Sequence, residues 1–130
     1  RDRLSFQNQL RASVQLFHKH NQADSPVLRV CVENNGYQEA FAQELRRKGV
    51  PVSSITRIKD KISRAYQLQA KIEIGLVLFP RQNADELIQE LILFPESEHD
   101  DLFDALELAV SQSKTFIKPF PKSLPEVEPE

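Results

Sequence analysis

Several residue types and patterns are scarce in this 130-residue chain, and each absence excludes a class of protein. The single cysteine, Cys31, rules out a disulfide framework, and with no CxxC pair there is no thiolate metal site. No apolar run approaches the roughly 18 residues of a membrane span. A Walker A motif is also missing, so we expect no nucleotide binding. The sequence predicts one globular domain in a reducing cytoplasm.

Methionine is absent altogether and the chain begins at Arg1, so we expect it to be a piece of a longer translation product. Residues 114–130 contain four prolines and a glutamate-rich end, a composition that cannot build a core. We therefore expect one domain over residues 1–113, followed by a flexible tail over residues 114–130.

Charge is distributed unevenly along the chain. Residues 1–81 carry 14 Lys or Arg against 7 Asp or Glu, whereas residues 82–113 carry 9 acids and no base. This asymmetry indicates one surface that can meet polyanions and another that collects cations. A solvated pair of acidic helices would show the same pattern, so charge alone leaves both interpretations open.

Hydrophobic periodicity predicts alternating helices and strands, which is typical of an α/β fold with parallel strands and crossover connections. Ser5 is the predicted N-cap of the first helix, and Gly49 and Gly75 are predicted to end later helices. Along the third helix we expect the buried stripe Ile62, Ala65, Gln69 and Ile72, and along the last helix Phe103, Leu106 and Val110. The predicted helices span residues 6–20, 37–48, 60–75, 83–94 and from about 100 onward, and the predicted strands Val27–Val32, Val50–Ile55 and 76–80.

Carboxylates occur at two positions that are typical of ligand or metal binding. Glu33 follows the most apolar strand, and ligands of parallel sheets gather beyond the carboxyl ends of strands. Asp100, Asp101 and Asp104 lie within one helical turn, where a divalent Mg²⁺ or Mn²⁺ ion would relieve their repulsion. Alternatively, Asp100 is an N-cap and Asp101 a first-turn acid that the helix dipole favours.

Four segments together resemble the C-terminal nuclease domain of the large terminase subunit of tailed bacteriophages. They are "VENNGYQEAFAQELRRKGVPV", "DKISRA", "GLVLFP" and "ELIQELILFPESEHDDLFDALELAV", and the resemblance runs from about residue 3 to residue 112. It implies a ribonuclease H-like α/β core with helices packed on a small mixed sheet. It also implies a metal-dependent endonuclease that cuts concatemeric double-stranded DNA during packaging. Holliday-junction resolvases, which share this fold type, lack the "FP....HDD" ending.

The resemblance assigns roles to particular residues. It implies that Glu33, Asp100 and Asp101 are the catalytic acids that hold two Mg or Mn ions, with Asp104 as a less central ligand. His99 is a further candidate to bind a metal or touch a phosphate. The segment "RIKDKISR" implies DNA contacts by four cations, Arg57, Lys59, Lys61 and Arg64.

The chain departs from the family pattern at its front. A complete domain of this kind opens with a three-stranded meander whose first strand carries a metal-binding aspartate, and no such segment precedes the first helix here. We therefore expect an inactive or weakly active fragment, with self-association through the open edge of strand Val27–Val32. The alternative is a non-catalytic protein-interaction piece of the packaging motor or a prophage remnant.

The resemblance also implies partners and a location. The partners would be double-stranded DNA, the ATPase domain of the same polypeptide, the phage portal and the small terminase subunit. The location would be the cytoplasm of a bacterial host, with no membrane contact.

Overall fold

The computed structural model describes residues 5–97 and 99–113, so the prediction of a tail over residues 114–130 lies outside the described part. Helix α1 begins after Ser5, whose hydroxyl accepts a hydrogen bond from the Asn8 N–H at 3.3 Å, which confirms the predicted N-cap. No helix in this part has the length and apolarity needed to cross a membrane. The described elements, in chain order, are α1 (Phe6–His20), β1 (Val30–Glu33), α2 (Gly36–Arg47), β2 (Val52–Ile55), α3 (Lys61–Glu73), α4 (Asp85–Leu93) and α5 (Asp101–Gln112).

The two strands form a parallel pair joined by α2. The register places Val30 opposite Val52 and Glu33 opposite Ile55. The carboxyl ends of both strands therefore lie at the same end of the sheet, as the predicted crossover requires. The α/β class is confirmed, but in the described residues the small sheet is wholly parallel, not mixed.

Both strands begin later than predicted. The Val27 N–H donates to the Asn21 side chain at 3.0 Å, which ties Val27 to the preceding loop. Leu28 is 84% exposed, so the ladder starts only at Val30, whose N–H donates to the Pro51 carbonyl at 2.7 Å. Hydrophobic composition alone could not locate these starts, because Val27, Leu28 and Val50 are as apolar as the residues of the ladder but lie outside it.

Two glycines end helices, as predicted. Gly49 has φ +86° and Gly75 has φ +81°, a left-handed conformation that glycine adopts without steric cost. The residue after each glycine donates its N–H back into the helix. Val50 bonds to the Leu45 carbonyl at 3.1 Å, and Leu76 bonds to a carbonyl of α3 at 3.0 Å. Both ends are therefore Schellman motifs.

The prediction of a third strand at residues 76–80 is wrong. The Leu76 N–H is used by the helix-ending motif, and Leu78 is 85% exposed. The chain instead crosses the surface as bends and irregular structure until α4. The short apolar run LVLFP predicted a strand here, but nothing in the described structure pairs with it.

The apolar core lies in the first half of the chain, between α1, α2 and the sheet. Leu10 and Leu45 are 2% and 0% exposed, and Phe17 and Val32 complete the centre of this cluster. Both Leu10 and Phe17 belong to α1, so this helix contributes one apolar face to the core. This core fixes β1 against α2 and leaves the other face of β1 to be covered by α5.

The second half of the chain is packed differently. Phe103 is 2% exposed, but two acids, Glu90 and Glu107, are buried beside it at 1% and 4%. In α3 the buried residue is Leu68, whereas Ile62, predicted as buried, is 46% exposed. The predicted stripe is wrong because α3 turns its Lys61, Arg64 and Leu68 face toward α5.

One edge of β1 has no strand partner in the part of the chain that the structure describes. A groove of about 780 Å³ lies between α5 and the segment that enters β1, and its mainly apolar lining includes Leu28, Cys31 and Leu108. The open edge is the one expected from the sequence. Association between copies through it stays a prediction.

Candidate functional site

Helix α5 runs antiparallel to β1. The Arg29 guanidinium, just before β1, donates to the carbonyl of Gln112 at the end of α5 at 2.8 Å. Farther along, Cys31 and Ala105 line the same groove. The acid-rich start of α5 therefore lies toward the carboxyl end of β1, where Glu33 is exposed. The fold thus brings the two groups of predicted acids to the same end of the sheet.

The start of α5 is held by a buried glutamate from α4. One carboxylate oxygen of Glu90 accepts hydrogen bonds from the N–H groups of Leu102 and Phe103 at 3.0 and 3.1 Å. These are first-turn donors that no helix satisfies internally, and the helix dipole favours an anion there. Asp100 occupies the N-cap position but makes no side-chain capping bond. The alternative interpretation is therefore right about the positions, with Asp100 at the N-cap and Asp101 in the first turn, but the Asp100 side chain does not cap the helix by a hydrogen bond.

Aromatic stacking supports the same turn. The rings of Phe94 and Phe103 lie 4.5 Å apart at an angle of 18°. The Lys61 ammonium lies 5.7 Å from the centre of the Phe103 ring. The first turn of α5 is therefore packed against Phe94 through the ring of Phe103, and against α3 through Lys61.

Lys61 lies between two of the predicted metal ligands. Its ammonium donates to the Asp100 carboxylate and to Asp104 Oδ2, the second at 3.3 Å. Lys61 is the first residue of α3, and that helix start is fixed by Asp60, which accepts from the Ser63 N–H at 2.9 Å. The Ser63 hydrogen bonds also lower the pKa of Asp60. The fold therefore provides its own cation for the crowded acids of α5.

The titration of this group reflects its partial burial. Burial pulls the pKa of Lys61 down, but hydrogen bonds and attraction from Asp100 and Asp104 outweigh it, so the net pKa is raised. The stability that Lys61 contributes is complete below its ordinary pKa of 10.5 and is lost as the pH rises through the folded-state value. Burial raises the pKa of Asp104, although Lys61 opposes the shift. Ionised Asp104 therefore costs stability as the pH rises through its pKa.

Glu107, one turn after Asp104 in α5, forms ion pairs with two arginines. Its carboxylate lies 2.6 Å from Arg57 and 3.0 Å from Arg64. The side chains are 4%, 13% and 15% exposed, respectively. A buried carboxylate is tolerated only when it is paired, so the guanidinium groups and Glu107 depend on one another. With Lys61, these contacts set three bases of α3 and its preceding loop against three acids of α5 and its N-cap.

The predicted site residues therefore divide into two groups. Three of the four cations predicted to contact DNA are paired with acids of α5, namely Arg57, Lys61 and Arg64. The remaining residues, Glu33, Lys59, His99 and Asp101, are exposed, and none of their side chains pairs with another described residue. The roles in catalysis and DNA binding assigned from the sequence stay predictions.

Glu90 and Glu107 were missed by sequence reasoning. Both lie in amphipathic helices rich in acids, where a glutamate is normally assigned to solvent. One weak signal was present: Glu107 lies three residues after Asp104 and seven after Asp100, on one face of the helix. That spacing could have suggested an acidic stripe facing the basic first turns of α3.

The described residues do not by themselves form a protein-only metal cage. Among residues 5–97 and 99–113, no three His, Cys, Asp or Glu side chains are grouped so that they could hold a metal ion. Asp104 Oδ1 is enclosed without a hydrogen-bond partner, but Asp104 Oδ2 is taken by Lys61. Of the predicted metal ligands, the ones whose side chains pair with no other described residue are Glu33, Asp101 and the candidate His99. Mg²⁺ is often held by one or two carboxylates together with water and substrate phosphates, so the donor chemistry fits a metal bound with DNA.

Comparison with known proteins gives the family. A model described as a terminase RNaseH-like domain matches residues 1–113. No curated protein and no solved structure matches the chain. The chain belongs to the terminase RNaseH-like domain family, which confirms the resemblance and the ribonuclease H-like fold class predicted from the sequence.

The buried pairing of Glu107 can be tested by its removal. Glu107→Ala leaves two guanidinium groups partly buried without their counter-ion, so we expect the free energy of unfolding to fall by about 3–5 kcal/mol. Glu96→Ala, at an exposed acid outside the helices, is the control and should change stability by less than about 0.5 kcal/mol. Urea unfolding followed by circular dichroism measures both. Equal effects would show that Glu107 is not held as the structure describes.

Proposed function

We propose that this terminase nuclease-type domain acts on double-stranded DNA as part of the metal-dependent endonuclease of a phage packaging terminase. The single observation that supports this is the antiparallel packing of α5 on β1, which brings Glu33 and the acids of α5 to one end of the sheet. The family supports the reaction class, and the packing of α5 on β1 is our reason for proposing this end of the sheet as the place of phosphodiester hydrolysis.

Two acids at this end are available to an external cation. Glu33 and Asp101 are exposed, and no other described residue pairs with their carboxylates. They are the residues that would hold divalent ions, because Mg²⁺ and Mn²⁺ prefer carboxylate and water oxygens. Such ions, when bound, supply Lewis acidity to the phosphate and lower the pKa of a bound water. Asp100 and Asp104 are left out of this set, since both already face Lys61.

Two buried glutamates, Glu90 and Glu107, fix the position of the helix that carries Asp101. Glu90 fixes the first turn of α5 and Glu107 ties the same helix to Arg57 and Arg64. Neither acid needs to touch DNA for this role. Their effect is to hold the Asp101 carboxylate on a rigid element, which functional sites require.

DNA contact falls mainly to cations that have no acid partner. Lys59 is exposed just before α3, close in sequence to the paired Lys61. An exposed ammonium at this position would meet phosphates without reading sequence. Arg57 and Arg64 instead act within the protein, because their guanidinium groups are paired with Glu107.

Plasmid nicking tests the proposed acids. We expect the chain to convert supercoiled plasmid slowly to the nicked form with Mn²⁺, and not with EDTA. Asp101→Asn and Glu33→Gln should each lower the rate at least about tenfold, because each removes an anionic ligand. Asp24→Asn, at an exposed acid in the loop between α1 and β1, is the control and should cut like the wild type. Nicking that persists in Asp101→Asn contradicts the proposed role of this acid. A chain that neither nicks nor binds DNA contradicts the proposal and favours a non-catalytic interaction piece of the packaging motor.

The salt dependence of DNA binding tests Lys59. Removal of one phosphate contact lowers the slope of log affinity against log salt by about 0.9 for duplex DNA. We expect this change in Lys59→Ala, measured by fluorescence anisotropy over a KCl series with several unrelated duplexes. His18→Ala, an exposed residue at the end of α1, should leave the slope unchanged. An unaltered slope in Lys59→Ala would remove Lys59 from the DNA interface.

A further inference from the structure

The acids of α5 are not equivalent. Asp100 and Asp104 are four residues apart on one face of the helix, and Lys61 bridges them from α3. Asp101 lies between them in sequence but faces solvent. One helical turn therefore carries two acids with an internal cation and one without.

Lys61 is held in this position by its surroundings. The Asp60 cap fixes the start of α3, and the Lys61 side chain passes near the buried Phe103 ring. Its side chain is 33% exposed, against 43% for Asp100 and 38% for Asp104. The ammonium is therefore placed by the fold and is not the free end of a surface lysine.

We propose that Lys61 is the resident cation of Asp100 and Asp104, and that it excludes divalent cations from these two carboxylates. The ion implied by the family and the ammonium would compete for the same oxygens and repel each other at such short range. Lys61 is thus a positioning residue that leaves Glu33 and Asp101 as the acids open to a metal. The inference rests on the proposed function only for the identity of the competing ion.

A second feature indicates that this place would accept a cation if the ammonium were removed. Asp104 Oδ1 is enclosed and has no hydrogen-bond partner among the described residues. Without Lys61, Asp100 and Asp104 would have no shared cation, and Asp104 Oδ1 would still be an acceptor without a donor. A hard divalent ion would offset the charge of both carboxylates and would accept Asp104 Oδ1 as an oxygen ligand.

The experiment uses Lys61→Met, which keeps most of the apolar stem and removes the charge. Isothermal titration calorimetry with MnCl₂, without DNA, compares it with the wild type, with Lys61→Arg and with Lys19→Met, a control at an exposed lysine at the end of α1. We expect Lys61→Met to bind Mn²⁺ at least about tenfold more tightly than the other three proteins, and Mn²⁺ to raise its melting temperature. Adding Asp104→Asn to Lys61→Met should abolish the gain.

Several results would overturn the inference. They are equal Mn²⁺ affinity in the wild type and Lys61→Met, a similar gain in Lys19→Met, or a gain that survives Asp104→Asn. If Lys61→Met is unfolded without metal, circular dichroism over a Mn²⁺ series decides: recovery of helicity supports the inference, and its absence contradicts it. Because cation binding is measured and not cleavage, failure here is distinct from failure of the proposed nuclease function.

Discussion

The charge pairing between α5 and the basic side chains of α3 and its preceding loop is the interaction on which the candidate site depends. Arg57, Lys61 and Arg64 face Asp100, Asp104 and Glu107, in a half of the chain where Phe103 is among the few buried apolar side chains. Buried ion pairs add little net stability, but breaking one is costly, so they specify a single arrangement. The register of α5 against α3, and hence the place of its acids, is set by this pairing.

The same pairing divides the acids by role. Glu107 and Glu90 both fix the position of α5. Glu107 pairs with Arg57 and Arg64, and Glu90 accepts hydrogen bonds from the N–H groups of the first turn. Asp100 and Asp104 share Lys61, which offsets part of their charge. What remains exposed toward the carboxyl end of β1 is Asp101 together with Glu33. The acids of this region thus differ in their surroundings, and Asp101 and Glu33 are the predicted carboxylate ligands that pair with no other described residue.

Much of the fold could be predicted from local signals. Ser5, Gly49 and Gly75 mark helix ends through backbone chemistry that acts within a few residues, and the structure confirms all three. The burial of Glu90 and Glu107 could not be predicted, because it depends on partners 12 to 50 residues away. For the same reason Arg57 and Arg64 were assigned to DNA: a cation in a basic segment gives no sign of the acid it will meet. The prediction of a strand at residues 76–80 was wrong because the Leu76 N–H donates to a carbonyl of α3 and is not available to a strand partner.

The pairing itself is tested most directly by a double-mutant cycle between α3 and α5. Arg64→Met, Glu107→Gln and the double variant would be unfolded in urea, and the coupling free energy taken from the four stabilities. Residues in direct ionic contact should couple by at least about 1 kcal/mol, so that the double variant loses less than the two single variants together. Strict additivity, within about 0.3–0.5 kcal/mol, would contradict the contact and the arrangement of acids built on it.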